Sequence, residues 1–209
     1  MTKHQIKQAI KPSIQNVPMP KIARGVVLFS LNKLFFTLFI LFLLPFSSFS
    51  QASSEADKFQ QYLAKEFNTP PIKKKIWLLA DTKTTVADIL GHPYKQMRVS
   101  YWIDPAQPSK SVWLLHKIGK ERYIDVAITI DNNTIQKLRI LAFRESRGWE
   151  VKLPFFTKQF DQNKLTEDLK LTNRVDNISG ATLSWHAVTK LARMALYLDS
   201  KRTDRPKVQ

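Results

Sequence analysis

The sequence Asp-Asn-Ile-Ser-Gly-Ala-Thr-Leu-Ser, at residues 176–184, precedes the last amphipathic stretch of the chain. Gly180 permits backbone angles that other residues avoid, and with Ala181 it allows another molecule to approach the main chain closely. Thr182 falls at or beside the start of the predicted helix, where N–H groups without partners and the helix dipole favour a bound phosphate. Spacing alone favours ordinary capping of the helix by a serine or threonine of this run.

Other side chains that could carry chemistry are few. The chain has no cysteine, which excludes disulfides, thiolate-held iron–sulfur clusters and thioether-linked haem. His92, His116 and His186 lack the spacing of a metal site and have no acidic cluster beside them, so we predict no metal. His186 lies one helical turn beyond Thr182, where it could face a phosphate. No nucleophile and base are paired, so we predict no catalytic residue. Any electron transfer would therefore need an organic cofactor.

The pattern D-x-x-S-G-A-T comprises Asp176, Ser179, Gly180, Ala181 and Thr182, and it resembles the flavinylation motif of FMN-binding-domain proteins. That family includes the covalent FMN subunits of the Na⁺-translocating NADH:quinone oxidoreductase and of the Rnf complex. The resemblance implies that the Thr182 hydroxyl is esterified to the phosphate of FMN. It also implies a separate Mg²⁺-dependent flavin transferase that takes FMN from FAD and releases AMP. Asp176 would serve either transferase recognition or bracing of the turn.

A second segment is similar to a loop of the same family, in which a Glu, a small polar residue and a Gly follow a strand. Here these residues are Glu145, Ser146 and Gly148, and an aromatic segment follows with Phe155, Phe156, Gln159 and Phe160. The respiratory subunits usually have E-T-P-G, whereas this chain has Arg147 in place of proline, which suggests a branch of single-domain carriers. The resemblance makes Glu145 and Ser146 partners of flavin polar atoms, and Trp149 the candidate to lie against the isoalloxazine ring. We expect core packing for at least two of the three phenylalanines.

Hydrophobic periodicity predicts the elements that must position these residues. Apolar residues at helical spacing predict a first helix over residues 54–67, a short one over 85–90 and a last one over 183–198. Alternation predicts strands around residues 99–103, 112–115, 124–130 and 138–142, with a hairpin turn at 131–134 and one or two helical turns over 154–160. The predicted fold is one α+β domain, an antiparallel β meander or half-barrel flanked by N-terminal and C-terminal helices.

The first fifty residues read as an export signal. They hold six basic and no acidic residues, and residues 34–46 form a run of thirteen in which Thr37 is the one polar residue. A membrane-spanning helix needs about 20 apolar residues, and the run is followed by the small residues Ser48 and Ser50, as at a signal-peptide cleavage site. An uncleaved anchor in the inner membrane is the alternative. In both cases we expect the rest of the chain in the periplasm.

The predicted organisation has four parts. Residues 1–50 are the signal peptide or membrane anchor, 51–96 a helical connecting segment, 97–200 the FMN-binding domain and 201–209 a polar tail. The formal net charge is +16, but the basic residues are mostly scattered and no nucleic-acid recognition motif is present, so we expect no nucleic-acid partner.

These observations favour an exported FMN carrier whose partners are the flavin transferase and membrane or periplasmic redox proteins. Two alternatives stay open. One is a flavin-dependent reductase with its own small substrate, and the other is a non-redox periplasmic binding module that uses the fold without flavin.

Overall fold

The computed structural model describes residues 54–204. The predicted signal or anchor, and positions 205–209 of the predicted tail, lie outside the described residues. The elements, in chain order, are α1 (Glu55–Glu66), β1 (Ile72–Trp77), α2 (Ala80–Leu90), β2 (Arg98–Asp104), β3 (Gln107–Ile118), β4 (Tyr123–Asp131), β5 (Thr134–Phe143), a 3₁₀ turn (Trp149–Lys152), α3 (Pro154–Thr157), a second 3₁₀ turn (Lys158–Phe160) and α4 (Thr182–Ser200). Across these described residues, no helix combines the length and apolar character needed to cross a membrane.

The five strands form one open antiparallel sheet in the order β1-β2-β3-β4-β5. The β4–β5 hairpin turns at Asn132 and Asn133, whose φ angles are 48° and 62°. Asparagine tolerates this left-handed conformation, and two such residues in succession suit the twist of a tight hairpin. The predicted meander and its turn are confirmed.

Helices cover both faces of the sheet. On one face Leu191 and Met194 of α4 join Trp113 and Ile128 of the sheet in the main hydrophobic core. On the other face Phe59, Tyr62 and Leu63 of α1 form a second cluster with strand residues that include Val112 and Ala127. The predicted α+β class, with an antiparallel sheet between N-terminal and C-terminal helices, is confirmed.

The segment before β2 does more than connect, because Ile72–Trp77 form strand β1 and pair with β2 in the sheet. Strand β1 was not predicted, because its run Lys73-Lys74-Lys75 hides the alternation on which strand prediction depends. Lysines are nevertheless common on edge strands, where they discourage pairing with another chain. Helix α2 begins at Ala80, five residues before the predicted start. It ends at Leu90, and Gly91, whose φ is 75°, caps its C-terminus.

The chain after α4 also differs from the predicted polar tail, because Arg202 turns back into the protein. Its side chain is fully buried and ion-paired with Asp199 at 3.0 Å and with Asp204 at 2.9 Å. It also donates to the carbonyl oxygen of Pro108 at 2.8 Å. These contacts fix the end of α4 to the beginning of β3.

Candidate functional site

Helix α4 begins at Thr182 without a side-chain cap. The residue before it, Ala181, has φ −115° and ψ 19°, and there is no side-chain capping hydrogen bond at this end of the helix. The ordinary capping by a hydroxyl that spacing alone favoured is therefore absent from this helix. Because the N–H groups of a first turn have no partner within a helix, they remain available to an anion in front of Thr182. The Thr182 side chain is exposed.

The turn before α4 holds Thr182 in place. Gly180 has φ 79°, and a Cβ added there would meet nothing within 4 Å. Glycine is thus required by the backbone conformation and not by a lack of space. The amide of Asn177 donates to the Thr182 hydroxyl oxygen over 3.3 Å, and the N–H of Ala181 donates to the carbonyl oxygen of Ile178 over 2.9 Å. The hydroxyl is therefore oriented by a neutral amide.

Glu145 follows β5 and reaches the β3–β4 turn. One of its carboxylate oxygens accepts from the backbone N–H groups of Lys120, Glu121 and Arg122 at 2.6, 2.9 and 2.9 Å. A Cβ at Gly119 would lie 2.9 Å from the same oxygen, so only glycine lets the turn close around it. Burial opposes ionisation, but the three N–H donors outweigh it and lower the pKa of Glu145.

At Gly148 the loop that follows Glu145 packs against the start of α4. It is buried, its φ is 81°, and a Cβ there would lie 3.1 Å from both the Ala181 Cβ and the Ser184 Oγ. The absence of a side chain at Gly148 therefore permits close packing between two segments that are more than thirty residues apart in the chain. The two segments singled out in the sequence meet at this contact.

An open cavity of about 500 Å³ lies between these segments. Its lining residues are Lys120, Glu145, Ser146, Arg147, Gly180, Ala181, Thr182, Leu183 and Ser184. Five of the nine predicted site residues are among them, namely Glu145, Ser146, Gly180, Ala181 and Thr182. Two basic side chains share the cavity with one carboxylate that the β3–β4 turn already engages. Lys120 also pairs with the exposed Glu121 at 3.3 Å, so Arg147 is the cation that most favours an anionic ligand here.

The other four predicted residues lie beside the cavity and not in its lining. Gly148 acts through the packing described above, and Ser179 is exposed in the turn. Asp176 donates its backbone N–H to Gln159 at 2.7 Å, which brings the aromatic segment to the turn. Trp149 is 52% exposed and is not among the residues that line the cavity.

The aromatic segment is divided between core and surface. Phe156 and Phe160 are fully buried, and their rings meet edge to face with centroids 5.3 Å apart. Phe155 is 58% exposed. The expectation that at least two of the three phenylalanines pack in the core is confirmed.

The histidines are dispersed. His186 is exposed and its ring lies 4.5 Å from that of Trp185. His92 lies 2.6 Å from the ammonium of Lys117, and the ring of His116 meets that of Tyr123. Over residues 54–204 no three His, Asp or Glu side chains come together as metal ligands.

Sequence reasoning did not select Lys120, Leu183 or Ser184 as site residues, and it noted Arg147 only as a departure from the family pattern. Lys120 lies in the β3–β4 turn, far from the motif in sequence, and only the fold brings it to the cavity. No local pattern could have identified it. Leu183 and Ser184 continue the motif into α4 and could have been included on adjacency alone.

The family model described as the FMN-binding domain matches residues 119–197. The match begins in the turn that Glu145 holds and ends in α4, so it spans all the residues that line the cavity. A comparison with curated proteins found no match. The chain therefore contains a domain of the FMN-binding family over residues 119–197, and it is a flavin-binding protein.

Proposed function

We propose that this protein is an exported electron carrier that holds FMN covalently, through a phosphoester to the Thr182 hydroxyl. The observation that carries the proposal is the exposed Thr182 at the uncapped start of α4, inside a cavity of the FMN-binding domain. When bound, FMN supplies the redox chemistry, since its ring system accepts and returns electrons.

The residues around Thr182 suit a flavin phosphate. The first-turn N–H groups of α4 and the positive end of its dipole favour a negative group. Lys120 and Arg147 line the same cavity and would add charge-assisted hydrogen bonds. The volume of about 500 Å³ lies within the range of about 300–1,000 Å³ that small-molecule and cofactor pockets occupy.

Thr182 needs a partner enzyme for its own modification. A threonine hydroxyl is a weak nucleophile without a base, and the hydrogen-bond partner of Thr182 is the Asn177 amide, which cannot accept a proton. We therefore assign the reaction to a flavin transferase that uses FAD. The Thr182 oxygen forms a bond to the phosphorus of the FMN half, the diphosphate bond breaks, and AMP leaves. The transferase takes the hydroxyl proton. The exposure of Thr182 allows such an enzyme to reach it.

The covalent bond can be tested by the intact mass of the full chain produced together with a flavin transferase. We expect the increment of one FMN esterified with loss of water, and we expect it to disappear in Thr182→Ala. Thr189→Ala is the matched control, since Thr189 belongs to the same helix but its hydroxyl is buried. A chain that carries no increment beside an active transferase would overturn the proposal. The same spectrum gives the mature N-terminus, and so reports whether the chain is cut after Ser50.

The carrier role needs a separate measurement. The flavinylated chain should be reduced by a chemical donor and reoxidised by several unrelated acceptors, without sustained turnover of any one small compound. Saturable turnover of one compound would instead indicate a reductase, which is the alternative function.

A further inference from the structure

Three large apolar side chains form an exposed patch at the β1 edge of the sheet. Trp77 is 59% exposed, Leu79 74% and Met97 54%. They are neighbours, because the N–H of Leu78 donates to the carbonyl oxygen of Met97 over 2.9 Å and Trp77 pairs with Arg98 across β1 and β2. We refer to Trp77, Leu79 and Met97 as the β1-edge patch.

The patch lies where the helical cover of the sheet ends. Helix α1 packs against Trp102 and Leu114 on its face of the sheet, and an open groove of about 580 Å³ is lined by Leu114, Trp77 and Met97. Single exposed apolar residues are ordinary, whereas adjacent ones with a polar surround mark surfaces that meet a protein or a membrane.

Positive charge surrounds the patch. The Arg98 guanidinium lies over the Trp77 ring at 5.7 Å from its centroid, and the Lys83 ammonium lies 3.4 Å from the Met97 sulfur. Four cations adjoin the patch in the chain or the sheet register, and within the described residues none has an ion pair with a carboxylate: Lys75, Lys83, Lys95 and Arg98. Asp81, exposed in the first turn of α2, is the acidic residue nearest to the patch in sequence.

We propose that the β1-edge patch docks on the surface of an anionic lipid bilayer. Tryptophan prefers the interface between headgroups and acyl chains, and Leu79 and Met97 would bury their exposed surface at the same depth. The surrounding cations complement lipid phosphates. Three of the four are lysines, whose flexible stems and point charges suit a fluid layer of phosphates, whereas rigid bidentate pairing with protein carboxylates favours arginine. The inference is independent of the flavin.

The absence of cysteine allows a direct test, because one introduced cysteine can be labelled selectively. Full-length Leu79→Cys carries an environment-sensitive fluorophore and is mixed with vesicles of phosphatidylglycerol and phosphatidylcholine in equal amounts, or of phosphatidylcholine alone. Glu167→Cys is the control position, exposed in the loop that packs against the α4 side of the sheet. It reports any general approach to the vesicle, including one caused by the N-terminal apolar run.

We expect a blue shift and quenching by lipid-borne quenchers at position 79 with the anionic vesicles alone, and no change at position 167. Replacing Lys75 and Arg98 with glutamine should lower the partition coefficient on the order of thirtyfold. Replacing the exposed Lys152 and Lys164 with glutamine, which removes the same charge elsewhere, should lower it much less. An equal response with neutral vesicles, an equal response at position 167, or no response to the anionic vesicles would each overturn the proposal.

Discussion

Glu145 acts on the β3–β4 turn, and this contact determines how its carboxyl responds to pH. One carboxylate oxygen accepts from the N–H groups of three successive residues, beginning at Lys120. Lys120 lines the cavity, so Glu145 positions a cationic wall of the proposed flavin site. The resemblance implied a direct contact between Glu145 and flavin polar atoms. The geometry assigns one oxygen to the turn and leaves the other for a ligand.

The contact of Glu145 with the β3–β4 turn predicts how the stability of the fold depends on pH. Because the pKa of Glu145 is lowered in the folded state, its carboxylate stabilises the fold above the ordinary glutamate value of about 4.3. That stabilisation is lost as the pH falls through the lower, folded-state value. The free energy of unfolding in urea should therefore differ between the wild type and Glu145→Gln at about pH 6, and the difference should shrink towards about pH 3. Glu167→Gln, an exposed control, should show no such trend. A constant difference for Glu145→Gln would contradict the assignment.

Gly148 and Gly180 have nearly the same φ, 81° and 79°, but different surroundings. At Gly180 an alanine would meet only the backbone penalty, about 1–2 kcal/mol. At Gly148 its Cβ would also lie 3.1 Å from Ala181 and Ser184, which should add about 1–3 kcal/mol of overpacking. Urea denaturation of the two variants measures the difference, and equal losses of stability would disprove the packing argument.

The residue-scale predictions succeeded where the signal was local. Gly180 and Thr182 could be read as a turn and a helix start, because the conformational range of glycine and the preferences of helix termini act over a few residues. The bond from Glu145 to the β3–β4 turn could not be read in the same way. It joins residues more than twenty positions apart, and only the strand register brings them together.

At the scale of the elements, the two ends of α4 have different roles. Its first turn opens on the cavity, whereas its last turn is anchored in the core. Asp199 accepts from Ser111 over 2.5 Å and pairs with the buried Arg202 at 3.0 Å. This network ties α4 to β3, and we infer that it fixes the direction in which α4 presents Thr182.

The anchoring of the C-terminal end of α4 can be tested with Arg202→Met. Removing one partner of a buried ion pair costs about 3–5 kcal/mol, because the remaining charge stays buried. We expect a loss of that size in the free energy of unfolding, whereas Lys201→Met, at an exposed neighbouring position, should change it by about 1 kcal/mol or less. Chemical denaturation followed by far-UV circular dichroism gives both values. A loss of about 1 kcal/mol or less for Arg202→Met would remove the anchor from the account.

An element could be predicted from the sequence where its apolar residues recur with a clear period. β4 was predicted because its apolar residues recur at every second position, and α4 because its apolar stripe recurs at helical spacing. β1 was missed because Lys73 and Lys75 on one face and Lys74 on the other conceal the period. In the structure β1 pairs with β2, and Lys74 of β1 forms an ion pair with Asp204 at 2.8 Å. Both contacts are distant in sequence.

At the scale of the whole molecule, residues 54–96 belong to the same folded body as the proposed flavin site. Helix α1 buries Phe59, Tyr62 and Leu63 against the outer face of the sheet, and α2 adds Val86 and Ile89 to the main core. The family match begins only at residue 119, so it covers less than the unit that folds.

A shortened chain that begins at residue 97 should therefore fail to fold cooperatively. Each large apolar side chain that loses its burial forfeits about 1.5–3 kcal/mol, and several such losses exceed the total stability of about 5–15 kcal/mol. A chain that begins at residue 52 retains all these contacts and is the matched comparison. Thermal unfolding followed by near-UV circular dichroism should give one sharp transition for the longer chain and none for the shorter. A sharp transition for the shorter chain would contradict this prediction.

The central claim is that FMN is bonded to Thr182, and the most direct measurement locates the bond within the chain. The full-length protein, produced together with a flavin transferase, is denatured and digested, and its flavin-bearing peptide is fragmented in a mass spectrometer. We expect one flavin peptide, in which the FMN phosphate is esterified to Thr182 and to neither Ser179 nor Ser184. A flavin that separates from the chain on denaturation, or an FMN group on any other residue, would contradict it.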